Sequence, residues 1–210
     1  MPDSAGRDGR LRRHWDRQAG GYDRSMAAAE RRFFAGTRQW LCAQATGDTL
    51  EVAVGTGLNL PYYPDRIALT GVEWSPAMLA IARGRAGDLA READLRVGDA
   101  RALEFPDRHF DTVVCTFALC GISGGPAALT EMARVLRPGG LLLLADHVAS
   151  TVWPVRAVQA LVDLATVPLY GERFSHRPLP TVRALGFTLE RHERLRMGII
   201  ERLAARKPAA

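Results

Sequence analysis

The chain is poor in cysteine, has no long uninterrupted apolar run, and carries no lysine beside its most glycine-rich turn. Three cysteines in 210 residues, Cys42, Cys115 and Cys120, are too few and too irregularly spaced for a disulfide framework or a zinc site, and read as reduced, buried thiols. No segment reaches the roughly 18 continuous apolar residues that a membrane-spanning helix needs. The N-terminal MPDSAGRDGRLRRHW lacks the apolar stretch of a secretory signal, so the expected location is cytoplasmic. The +5 formal charge comes largely from arginines interleaved with acids, not from a basic cluster threaded with aromatics, which argues against a nucleic-acid surface. There is no internal repeat and no low-complexity linker.

What is present is the composition of one folded domain, with 47% apolar and 24% charged residues. From Leu11 to about Ala45 the pattern is helical, with a predicted break at Gly20 and Gly21 and a stop at Gly47. Short apolar runs then alternate with helical segments: TLEVAV, IALTGVEW, ADLRVGD, FDTVVCTF and GLLLLADHV. Such alternation predicts a parallel sheet covered on both faces. Ser75 and Pro76 read as N-cap and first residue of a helix. PAALTEMARVLR reads as an amphipathic helix closed by a turn at Pro138, Gly139 and Gly140. In WPVRAVQALVDLATVPLY the polar residues Arg156, Gln159, Asp163 and Thr166 make one stripe on an apolar helix, which predicts either packing on the core or a cover over a pocket. FTLERHERLR and GIIERLAARK predict two strands joined at Met197 and Gly198, adding an antiparallel edge.

The first strand ends in EVAVGTGLN, Glu51 to Asn59. A dinucleotide turn wants a third glycine after Gly55 and Gly57, and a phosphate loop wants a lysine followed by serine or threonine; neither is here. Glu73, at the end of the second strand, suits both hydroxyls of a ribose. Asp99 at the end of the third, with the Ala100 backbone N–H, suits an adenine edge, the alternative for Asp99 being a turn or helix cap. An adenosine without phosphates fits both.

These stretches, with GVEWSPAMLAIAR, VGDARALEFPDRHFDTVVCTFALC and EMARVLRPGGLLLLADH, resemble in order and spacing the successive motifs of class I S-adenosylmethionine-dependent methyltransferases over residues 14 to 147. Within that superfamily the chain is most similar to the branch containing thiol S-methyltransferases and phosphatidylethanolamine N-methyltransferases, and more distantly to the ubiquinone and menaquinone methyltransferases, whose N-terminal pattern it carries as WDRQAGGYD. The resemblance implies an α/β, Rossmann-like fold: a mostly parallel seven-stranded sheet with an antiparallel last strand and helices on both faces. It divides the single domain into a helical cap (1–47), a cofactor-binding core (48–147), an acceptor cover (148–178) and a C-terminal helix with a strand hairpin (179–210).

The cofactor implied is S-adenosyl-L-methionine, leaving as S-adenosyl-L-homocysteine, with no metal. Gly55, Thr56 and Gly57 then cradle its methionine part, with Ala53 where the family usually has glycine, and Glu51 and Asn59 support the loop. Glu73 and Ser75 lie at the ribose, and Trp74 and Met78 flank the adenine. Gly98, Asp99 and Ala100 read the adenine edge, while Thr116 and Phe117 line the space beside the methyl group. Tyr22 reaches the carboxylate. His147, with Tyr22, is the candidate catalytic side chain; His176 is a second candidate base. The partner expected is a small, lipophilic acceptor taken up by a monomer or homodimer. The alternatives are a phospholipid amine methylated from a bilayer surface, for which peripheral membrane contact suffices, and cofactor binding without methyl transfer. The family's thiol methyltransferases carry a hydrophobic N-terminal anchor for which this sequence has no counterpart.

Overall fold

A computed structural model describes residues 4–34 and 36–209. Two segments precede the sheet: helix α1 (Ser4–Ala29), ending in a π-helical turn (Glu30–Phe34), and the short helix α2 (Thr37–Cys42). The predicted break at Gly20 and Gly21 does not occur. Each glycine costs a helix roughly 1 kcal/mol, and contacts on both sides outweigh that cost: Asp16 accepts from the Ser75 hydroxyl at 2.5 Å and Asp23 from the Thr56 hydroxyl at 2.6 Å. The chain breaks instead at Gly36, whose φ of 76° is left-handed, and α2 ends short of Gly47.

Five strands follow in parallel: β1 (Asp48–Val52), β2 (Ala68–Glu73), β3 (Asp94–Val97), β4 (Phe110–Thr116) and β5 (Leu136–His147). Helix α3 (Pro76–Asp88) joins β2 to β3, and α4 (Gly125–Val135) joins β4 to β5. The predicted turn at Pro138–Gly140 belongs to β5 itself, which starts pairing at Leu136 and is bulged before Leu141, with Gly139 left-handed. Helices α5 (Trp153–Tyr170) and α6 (Pro178–Ala184) lead to β6 (Thr188–Leu195) and β7 (Ile200–Arg206). The order is β3-β2-β1-β4-β5-β7-β6, with β7 antiparallel to both neighbours.

Alternation along the central strands sends Val113, Cys115, Leu142 and Leu144 into one apolar layer and Val114, Leu141, Leu143 and Ala145 into the other. A sheet filled on both faces leaves polar chemistry only at its ends. The order reverses between β1 and β4, so a crevice opens at their C-terminal ends, where open α/β sheets bind ligands.

Candidate active site

The loop after β1 is built on left-handed backbone. Gly55 and Gly57 have φ of 58° and 80°, and Ala53 has 59°, a conformation costing a residue with a Cβ about 1 kcal/mol. A Cβ at Gly57 would come within 2.8 Å of the Leu60 side chain and 3.2 Å of the Ala82 backbone in α3. At Gly55 nothing lies within 4 Å of that position; Gly55 and Ala53 line a cavity of about 480 Å³.

Behind the loop lies a buried polar network. The Glu51 carboxylate, 1% exposed, accepts from Asn59 Nδ2 (2.7 Å) and from the Tyr63 hydroxyl (3.0 Å). Asn59 Nδ2 also donates to Thr116 Oγ1 at 2.8 Å, and Arg38 Nη1 donates to Asn59 Oδ1 (2.9 Å) and Thr116 Oγ1 (3.0 Å). Arg38 also bonds Glu30 through Nε at 2.9 Å and Nη2 at 2.5 Å, which commits four of its five N–H donors. Burial pushes the Glu51 carboxyl up to about 7, against the downward pull of Tyr63, Asn59 and Arg38. Glu51, Gly57 and Asn59 thus support the wall and do not line the cavity.

At one end of the cavity stand Glu73, Trp74, Met78, Gly98, Asp99 and Ala100. Glu73 is held rigid by two backbone donors, Gly55 N–H at 2.9 Å and Ser75 N–H at 2.8 Å. Burial raises its pKa, and those backbone bonds oppose the rise. Ser75 stays out of the cavity as the N-cap of α3, accepting from Met78 N–H at 3.2 Å. Gly98 has room for no side chain, since a Cβ would meet Val72 at 2.7 Å. Asp99 lines the cavity, but its carboxylate is gripped by Arg101, with Nε at 3.0 Å from Oδ1 and Nη2 at 2.7 Å from Oδ2. Burial works to raise the Asp99 pKa, and the Arg101 bonds bring it below the ordinary value. Arg101 also binds Asp8 of α1 at 2.7 Å and sits 5.8 Å from the Trp74 ring centroid. Together Asp8, Asp16 and Asp23 clamp α1 across the mouths of β1, β2 and β3; Arg85 is the further partner of Asp23.

The other end is aromatic. The Phe34 and Phe117 rings stack at 4.1 Å, and His147 has ring centroids of Phe34, Phe117 and Phe174 at 5.0, 5.5 and 5.5 Å. Phe117 is left-handed, with φ 51°, at the end of β4. Thr116, Tyr22 and Arg38 line the passage between the two ends. Burial lifts the Tyr22 hydroxyl to about 12, with Arg38 opposing.

Burial lowers the His147 pKa, with Asp146 pulling the other way. Asp146 accepts from Cys120 N–H (3.0 Å) and His147 N–H (2.7 Å), and His176 Nε2 lies 3.5 Å from its Oδ2. Cys120, Asp146 and His147 bring one metal-ligand atom each within 4.8 Å of one another. Because both Asp146 oxygens already take backbone donors, this carboxylate acts foremost as the clamp that joins the loop after β4 to the end of β5.

Sequence reasoning missed Arg38 and Phe34 on the cavity wall and Arg101 beside Asp99, and reached Glu172 and Phe174 only as members of the 148–178 cover. No local pattern marks them: each comes from outside the strand-end motifs or is defined by a distant partner. Only the position of Phe34 in RRFF, on a helix leading to the first strand, hinted that an apolar residue there faces inward.

The donor set fits an S-adenosyl amino-acid cofactor. It offers a fixed carboxylate for vicinal hydroxyls, Trp74 and Met78 for a flat heterocycle, and the buried cation Arg38 with the Tyr22 hydroxyl for a carboxylate.

Residues 50–144 match the family described as "Methyltransferase domain". A phosphatidylethanolamine N-methyltransferase from Cereibacter sphaeroides is 44% identical over 115 residues, covering 54% of this chain and 57% of that protein. A human thiol S-methyltransferase, TMT1A, is 31% identical over 134 residues, covering 61% and 54%. The chain thus spans between half and three fifths of the length of these relatives. An S-adenosylmethionine-dependent methyltransferase structure from Thermotoga maritima superposes with a TM-score of 0.71 at 22% identity, covering 92% of this chain and 98% of that one. Residues 50–144 thus match a methyltransferase-domain family, and the chain has the Rossmann-like, mixed seven-stranded fold of this structural neighbour.

Proposed function

We propose that the protein transfers the methyl group of S-adenosyl-L-methionine to a small or medium-sized lipophilic acceptor: a thiol, a phenol or a natural-product scaffold. One observation carries this reading: a single cavity runs from the Glu73–Trp74–Asp99 end to the aromatic cage around His147. When bound, the cofactor supplies an activated sulfonium methyl that an acceptor displaces in line, the sulfur leaving as the neutral thioether of S-adenosyl-L-homocysteine. The chain's own part is orientation and dryness, and alignment of this kind contributes up to about 7–11 kcal/mol.

In this reading Glu73 holds the ribose, Trp74 and Met78 pack on the adenine, and Asp99 with the Ala100 N–H reads its edge. Gly55 and Thr56 admit the methionine part, Arg38 and Tyr22 receive its carboxylate, and Phe117 with Phe34 confines the acceptor. Residues 148–178 cover the acceptor end through Glu172 and Phe174, the two of them that line the cavity. His147 takes the acceptor's proton. A pKa below 6.5 keeps the imidazole neutral and able to accept at neutral pH. For an acceptor whose proton His147 removes, activity therefore rises with pH through a midpoint below 6.5 and then levels; an unchanged acid limb in His147→Ala would remove His147 from that role.

The test of the whole reading is incubation with methyl-labelled cofactor and a panel of thiols, phenols and amines, analysed by mass spectrometry. Cofactor binding with no methylated product across the panel would leave a binding protein. A second reading, methylation of a phospholipid amine, is supported by the 44% identity to a phosphatidylethanolamine N-methyltransferase. Vesicles containing phosphatidylethanolamine belong in the same panel, and label in the lipid fraction alone would select it.

A further inference from the structure

Helix α5 is amphipathic with its apolar side outward. Gln159, Asp163 and Thr166 face the body of the protein, and their side chains do the anchoring. Gln159 accepts from Ser150 N–H at 2.7 Å and donates to the Val148 and Phe174 carbonyls at 2.9 and 3.1 Å. Asp163 accepts from Phe174 N–H at 2.7 Å and from the Ser175 hydroxyl, and Thr166 donates to the Glu172 carbonyl at 2.8 Å. No residue of the helix is fully buried. Trp153, Leu161, Leu164 and Leu169 are 70, 67, 74 and 62% exposed, with Val158 and Val162 beside them. On a helix of 3.6 residues per turn these six share one side with Ala157, Ala160 and Ala165, and no charged residue interrupts them. A contiguous apolar face of this kind marks an interaction site.

A second observation says what kind. Helix α1 touches the C-terminal end of α5, where Arg7 Nη2 donates to the Val167 carbonyl at 3.3 Å and the His14 and Tyr170 rings lie 4.9 Å apart. Along α1 the acids Asp8, Asp16 and Asp23 all point to the core, where they bond Arg101, Ser75 and Arg85. Its exposed Arg10, Arg13, Arg17 and Arg24, spaced by three, four and seven, share the side facing away from the buried Leu11 and Ala19. Among the described residues no ion pair is found for these four. Trp153, 70% exposed at the start of α5, is a side chain of the kind that settles at a membrane–water boundary.

We propose that the outer face of α5, with the arginine face of α1 beside it, seats the protein on an anionic lipid bilayer, α5 lying in the plane of the interface. The apolar face supplies burial in the acyl boundary and the arginines supply attraction to lipid phosphates. The four unpaired arginines beside this apolar face complement an anionic surface and have no such counterpart in a second copy of the chain. Seating also brings the acceptor end of the cavity close to the lipid, because the inner stripe of α5 carries the 172–175 segment whose Glu172 and Phe174 line it.

The test is co-sedimentation of the full chain with phosphatidylcholine vesicles, with and without phosphatidylglycerol, at low and high salt; it needs no methyl transfer, so its failure and that of the proposed function are separable. Expected are binding to the phosphatidylglycerol vesicles, weakening with salt, and a loss of about tenfold or more in the double variant Leu161→Ser/Leu164→Ser. Arg13→Glu/Arg17→Glu abolishes the preference for anionic lipid. Circular dichroism and melting unchanged in both variants exclude misfolding, since these side chains project into solvent. No sedimentation at low salt, or binding that neither pair alters, overturns the proposal. So does a concentration-dependent dimer, seen by light scattering and lost in Leu161→Ser/Leu164→Ser, without vesicle binding.

Discussion

The loop after β1 and helix α5 handle polarity in opposite ways. In the loop, charged and amide groups are sunk beneath the backbone, and Arg38, Glu51, Asn59, Tyr63 and Thr116 satisfy one another away from water. In α5 the polar groups also face inward, but they meet backbone groups of the 148–150 and 172–175 segments, and the apolar side is left outside. Inward-facing polar groups therefore do two jobs here: under the cofactor loop they fix a site, and under α5 they hold a helix by its polar side so that its apolar side is free.

The largest break in that contrast comes at Arg38. Arg38→Met leaves Asn59 Oδ1 and Glu30 without their Arg38 donor and Thr116 with Asn59 alone, and is expected to lower unfolding free energy by about 3 kcal/mol, read from urea denaturation. A loss under ~1 kcal/mol would mean that the network tolerates the gap. Next is Glu73→Ala, which should weaken S-adenosylmethionine binding by about 1–3 kcal/mol in calorimetry; unchanged affinity removes Glu73 from the cofactor site.

A smaller effect of opposite sign is expected at Ala53. Because its φ of 59° is left-handed, Ala53→Gly should relieve strain and raise stability by up to about 1 kcal/mol, less the entropy a glycine adds to the unfolded chain. A fall in melting temperature would show that the methyl group packs usefully. The smallest is in α5: Leu164→Ser should change stability by no more than about 0.5 kcal/mol, whereas Leu143→Ala, in the sheet with no exposure, should cost about 2–5 kcal/mol. Equal costs would mean that the outer face of α5 is covered within the folded chain.

Much of the core was legible because its signals are local. Short continuous apolar runs marked the strands, Ser75–Pro76 marked the start of α3, and Met197–Gly198, both left-handed, marked the turn between β6 and β7. The missing third glycine after Gly57 and the carboxylates at Glu73 and Asp99 pointed to one end of the cavity. Other features escaped because they depend on partners far along the chain. Gly20 and Gly21 remain helical because Asp16 and Asp23 are tied to residues more than thirty positions away. Asp99 carries Arg101 on its carboxylate, and Arg101 is held in turn by Asp8.

By itself, then, the sequence determined the order of strands and helices and the positions of the strand-end motifs, since backbone periodicity and cap chemistry act over a few residues. Only the tertiary structure decided which way the stripe of α5 faces and which charge sits beneath the cofactor loop. Hydrophobic periodicity states that a helix has two sides but carries no information on which side the rest of the chain will satisfy, and here hydrogen bonds to the 148–150 and 172–175 segments turned the polar side in.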